Sequence, residues 1–158
     1  MKKVINTLIV AGMIVFVCLS TSCKKEEDVK PLEKTPSEKM IGKWVVKSYE
    51  KKFFNDANVK VHEEGSLNTG IIYEFDGKQL TVTAFGLSVG IPYSFITENG
   101  KSYITFNSDE GFIKSLVEFS SDNKIHITDE NINDNYKDEN SGETIPAKSV
   151  TVQELERM

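Results

Sequence analysis

Between Ile71 and Phe106 the apolar residues fall on every second position, and two dipeptides suited to tight turns interrupt them. Ile71, Tyr73 and Phe75 alternate, Asp76-Gly77 follows, and Leu80, Val82 and Ala84 alternate again. Ile91, Tyr93 and Phe95 repeat the pattern, then Asn99-Gly100 leads into the run Tyr103–Phe106. Successive side chains of a strand point to opposite faces, so a period of two marks strands with one buried face. Asp-Gly and Asn-Gly accept the positive φ that a two-residue hairpin turn requires. The stretch therefore predicts antiparallel strands joined in chain order.

The flanking sequence extends the series. Trp44–Tyr49 reads as a first strand. Val59 and Val61 form a short strand between turns at Asn55-Asp56 and Glu63-Glu64-Gly65-Ser66. Gly86 and Gly90 flank a hydrophobic turn. Lys114–Phe119 and Ile125–Ile127 are strands on either side of Ser121-Asp122-Asn123, and Ile145–Leu155 closes the chain, bent near Pro146. The only helix expected is one turn over Ser37–Met40. The fold class is all-β: an antiparallel up-and-down β-barrel of about eight strands, since closing a meander removes its exposed edges. The alternative is a β-sandwich, which needs long connections between sheets, and the hairpin turns leave little chain for them.

The first 22 residues have a different character. Lys2 and Lys3 precede a mostly apolar run from Val4 to Leu19, then Ser20, Thr21, Ser22 and Cys23. A basic head, an apolar core and small residues before a cut are the parts of a secretory signal. The run, about 16 residues, is short of the ~20 that cross a bilayer as a helix. Residues 1–22 are read as a signal peptide, residues 23–37 as a tether rich in charge with Pro31 and Pro36, and residues 38–158 as the barrel domain.

Ser20-Thr21-Ser22-Cys23 resembles a bacterial lipobox, with Leu19 one place earlier than the pattern has it. The resemblance implies lipidation of Cys23 and anchoring to a membrane through that lipid. Lys24-Lys25-Glu26-Glu27-Asp28 resembles the export signal of Bacteroidetes-type lipoproteins. That implies the outer membrane, lipid-anchored and facing the cell surface. Gly42-Lys43-Trp44 at the start of the first strand, with Phe75-Asp76-Gly77 later, resembles the lipocalin-like lipoproteins. In that family the Trp plugs the closed end of an eight-stranded barrel, and an Arg from the last segment packs across it. The one Arg in this chain is Arg157. The resemblance implies that Tyr73, Phe75, Tyr93, Phe95 and Phe106 either fill the core or line a cup for an apolar or amphipathic ligand.

Charge and residue types limit the chemistry. Without residues 1–22, which hold two Lys and no acids, 17 basic and 24 acidic residues remain, a net charge of −7. That argues against nucleic acid as a partner. Beyond Cys23 the mature chain has no cysteine, so no disulfide, thiol nucleophile or Cys-type zinc site is available. His62 and His126 lack metal-ligand spacing and are expected at the surface. In the acidic run Asp129–Glu143, Asp129, Asn131, Asn133 and Asn135 match the spacing of a calcium loop. Asp134 replaces its turn glycine and Asn140 its closing Glu, so the run is read as a solvated loop. The expectation is a non-enzymatic module without metal or cofactor that binds a small apolar or amphipathic ligand. The alternative is a filled barrel that meets a protein partner, through Phe85-Gly86-Leu87 or Gly111-Phe112-Ile113.

Cys23→Ala is expected to abolish incorporation of labelled fatty acid and to move the protein from the membrane fraction to the soluble one. Labelling and sedimentation equal to those of the unmutated protein would refute the anchor.

Overall fold

A computed structural model describes residues 33–108 and 111–158. The expected signal peptide, Cys23 and most of the tether lie outside the described residues. A short helix, α1 (Pro36–Met40), leads into ten strand segments. These are β1 (Gly42–Phe54), β2 (Lys60–Leu67), β3 (Ile72–Phe75), β4 (Gln79–Ala84) and β5 (Leu87–Pro92). They continue as β6 (Ser94–Glu98), β7 (Lys101–Ser108), β8 (Gly111–Ser121), β9 (Lys124–Lys137) and β10 (Thr144–Arg157). Every pairing is antiparallel, and the order is β5-β4-β3-β1-β10-β9-β8-β7-β6 with β2 also on β1.

The ten segments are eight staves. β2 and β3 both pair with β1, β2 with its second half and β3 with its first, so together they make one stave with a bulge at 68–71. The bulge stays hydrogen-bonded: the Asn68 amide donates to the Lys47 carbonyl (2.7 Å), and the Val46 amide to that of Ile71 (2.9 Å). Asn68 and Gly70 take the positive φ that lets the chain loop out, 51° and 70°. β5 and β6 are also one stave, separated only by Tyr93. Its first half pairs with β4 and its second with β7. Pro92, which has no amide to donate, sits at the changeover. The Tyr93 amide donates to the Lys78 carbonyl (2.9 Å) and its hydroxyl accepts from the Gly77 amide (3.2 Å), which fastens this seam. The result is an up-and-down meander nearly closed into a barrel.

The base is where the two ends of the chain meet. Thr35 caps α1: its hydroxyl accepts from the Glu38 amide (3.3 Å), and the Glu38 carboxylate accepts from the Thr35 amide (2.8 Å). α1 buries Met40, whose carbonyl accepts from the Trp44 indole N–H (2.8 Å). The Arg157 guanidinium lies 4.2 Å above the Trp44 ring. It donates to the carbonyls of Ile41 (2.9 Å), Asp122 (3.2 Å) and Lys39. Gly42 is required for this approach. Its φ is +130°, and a Cβ there would lie 2.7 Å from Arg157 Nη1. Above the plug sits a core of Val46, Phe75, Leu80, Tyr93, Ile104, Val117, Ile125, Ile127 and Leu155.

Three stretches differ from the sequence expectation. Glu63–Ser66 is not a turn but the body of β2, with Glu63 opposite Lys52 and Glu64 opposite Lys51. Cross-strand charge complementarity holds this polar strand in register. The hydrophobic turn at Gly86–Gly90 is instead a Phe85-Gly86 turn followed by β5, and Gly90 is small because the Gln79 side chain crosses it. The acidic run is strand as far as Lys137, paired with β10, and only 138–143 is loop.

Arg157→Lys keeps the charge and loses the planar fork that reaches three carbonyls at once. It is expected to cost about 1–3 kcal/mol, read as a lower urea midpoint with an unchanged slope. An unchanged midpoint would show that the base does not depend on the guanidinium.

Candidate functional site

Above the apolar base a half-open cavity of about 860 Å3 is bounded by residues of β1, β3 to β5 and β7 to β10. Ligand sites commonly enclose ~300–1,000 Å3. One wall is apolar: Leu80 and Val82 of β4, Ile91 of β5, Phe106 of β7 and Ile127 of β9. The other is polar: Ser115 of β8, Asp129 and Asp134 of β9, Ser149 and Gln153 of β10, and Lys51 of β1. Phe112 and Ile132, 63% and 73% exposed, stand at the mouth.

The five aromatic residues expected in the cup separate by height. Tyr73 and Phe106 line it, and the Tyr73 hydroxyl donates to Gln153 Oε1 across the cavity (2.9 Å). Phe75 does not: it is 1% exposed in the base, edge-on to Tyr73 (6.2 Å) and Tyr93 (5.4 Å). Tyr93 is buried at the seam and Phe95 is partly buried against the core, so neither lines the cavity. Alternation gives the face a side chain occupies, not its distance from the plug. The polar lining carries no such apolar signal. Parity alone points to Asp129, two positions beyond the inward Ile127 and four beyond Ile125.

The two acids of the polar wall are in opposite states. Asp134 takes an ion pair from Lys51 (2.7 Å) and hydrogen bonds from the Ser149 hydroxyl (2.5 Å) and the Asn135 amide (2.8 Å). Burial works against its charge, but these bonds prevail and hold its carboxyl below the usual range. The same burial opposes the Lys51 charge, and the Asp134 carboxylate outweighs it, so that ammonium titrates above its ordinary value. Burial pushes the Asp129 carboxyl up, against the hydrogen bond that it accepts from the Ser115 hydroxyl. His62 lies higher on the wall, stacked on Tyr136 (4.9 Å) beside the buried Phe53 (5.5 Å). His126 contacts Ser120 (3.1 Å) and Glu154 (3.5 Å). Among the described residues no group of three His, Cys, Asp or Glu is arranged to hold a metal ion.

No protein-family model, curated protein or solved structure matches this chain.

The raised Asp129 carboxyl has a sign that can be measured. Between the ordinary carboxylate range and its folded value, the folded chain holds a proton that the unfolded chain has released. Stability therefore falls as pH rises through that window, and the cost is constant above it. Asp129→Asn keeps an acceptor for Ser115 and removes the titration. The variant's thermal midpoint, relative to the unmutated protein, is expected to rise from about pH 3.5 to about pH 7. A difference that does not change with pH would show that the buried charge carries no such cost.

Proposed function

We propose that this chain is a non-enzymatic, lipid-anchored envelope lipoprotein with a lipocalin-like domain that captures a small amphipathic ligand. The cup carries this reading: about 860 Å3 open at one end, with facing apolar and polar walls. The Gly42, Trp44 and Arg157 arrangement at the base agrees with the lipocalin resemblance. Anchoring through Cys23 at the outer face of the outer membrane rests on the lipobox-like and Lys-acidic stretches. The chain enters the barrel at the base through α1.

A second reading, a protein partner, is supported by the apolar hairpin tip at the open end. Phe85 is 96% exposed and held at a φ of 53°, and Leu87 is 75% exposed. Val89, two positions on from Leu87, is 61% exposed as well, and contiguous exposed apolar patches mark interaction sites.

N-phenyl-1-naphthylamine, a neutral apolar fluorophore, distinguishes the two. Its emission is expected to rise and shift to the blue with the unmutated protein. Thr151→Trp, which fills the cup from β10, is expected to weaken binding at least about tenfold, with the thermal midpoint measured alongside. Leu87→Ser is expected to leave it as it was. Absence of enhancement with the unmutated protein would overturn the cup reading, and loss in Leu87→Ser alone would move the site to the hairpin tip.

A further inference from the structure

The acids that line the cup do not share the same company. Asp134 is paired with Lys51 (2.7 Å), and Glu130 faces Lys148 (3.6 Å). Lys114, the other cation on the lining, is engaged by Glu98. Asp129 forms no ion pair among the described residues. Its contact is the buried Ser115 hydroxyl, which satisfies one of the several acceptor positions a carboxylate offers. It sits one inward position above Ile127, across the ladder from Thr151 and diagonal to Gln153. The apolar wall of Leu80, Val82, Ile91 and Phe106 bounds the same cavity.

Resting on the cup reading, we propose that the cup selects an amphipathic amine, with its ammonium head on Asp129 and its apolar body against Leu80, Val82, Ile91 and Phe106. An ammonium supplies three donors and no acceptor. The unfilled positions of Asp129, the Thr151 hydroxyl and the Gln153 amide oxygen are acceptors of the complementary kind. The aromatic residues Tyr73 and Phe106 are on the same lining, and aromatic rings attract cations. An anionic head is disfavoured. The wall cation that would take it, Lys51, is already neutralised by Asp134, and Asp129 would repel it.

Three probes with the same ten-carbon chain test this by calorimetric titration below their micellar concentrations: decylammonium, decanol and decanoate. Decylammonium is expected to bind at least about tenfold more tightly than decanol, and decanoate most weakly. In Asp129→Asn the ratio of decylammonium to decanol affinity is expected to fall to near one. Thr151→Lys, which sets a cation opposite Asp129 and neutralises it as Lys51 neutralises Asp134, is expected to abolish the amine preference and serves if Asp129→Asn does not fold. Decanol binding without an amine preference, or a preference that survives both substitutions, would overturn the assignment and leave the cup intact. Failure of all three probes to bind would overturn the cup reading along with it.

Discussion

The guanidinium of Arg157 over the indole of Trp44 is the contact on which the rest of the barrel depends. A meander ends in two exposed edges unless its first and last strands find each other. Here they are β1 and β10, and their ladder begins at Trp44 opposite Arg157. The guanidinium also collects three carbonyls from separate segments, those of Lys39 at α1, Ile41 before β1 and Asp122 in the β8–β9 turn. These bonds tie α1, the start of β1 and the β8–β9 turn to the end of β10. Arg157 and Trp44 thus shut the bottom of the barrel together with α1 and the β8–β9 turn. Among the described residues the other end has no such plug.

The division between a filled half and a hollow half follows from this. Met40, Trp44, Leu155 and Ile125, each fully buried, meet at the plug and fill the lower staves. Higher up, β1, β2, β9 and β10 outrun the short strands β3 to β6, with β9 and β10 at 14 residues each. Such a wall is wet on more than one side and accepts polar residues if they bond one another. Lys51, Asp134 and Ser149 do so across three strands, and Phe53, His62 and Tyr136 supply a small aromatic cluster above them. Across the cavity β4, β5 and β7 carry Leu80, Val82, Ile91 and Phe106. The lining is therefore polar toward β1 and β10 and apolar toward β4, β5 and β7.

Much of this was legible in the sequence, and the residues show where legibility ends. The hairpins at Asp76-Gly77 and Asn99-Gly100 are local, so a dipeptide and its flanking alternation suffice to find them. Gly42, Trp44 and Arg157 could be named as well, although their contact joins opposite ends of the chain. What escaped were strands without apolar alternation. Glu63–Ser66 and the run after Asp129 look like loops because they are polar strands whose ladder partners lie on β1 and β10, and a single strand read alone does not contain its partner. Which of the aromatic residues line the cup escaped for a related reason. Phe75 and Phe106 are equivalent by pattern, and only their height above Trp44 makes one core and the other lining.

Asp129 and Asp134 lie on one strand, within one wall, and are treated in opposite ways. Asp134 has what a structural carboxylate needs, an ammonium, a hydroxyl and an amide, and its charge is favoured. Asp129 has one hydroxyl, and its charge is disfavoured. Burying a carboxylate without a full set of hydrogen bonds is unfavourable, and among the described residues Asp129 accepts only from the Ser115 hydroxyl. Conflict between local chemistry and stability concentrates where a site serves something other than the fold. The apolar wall facing Asp129 sharpens the point. A carboxylate with acceptor positions to spare, set in a cup of ligand size and screened from other cations, is complementary to a donor that the chain itself does not supply.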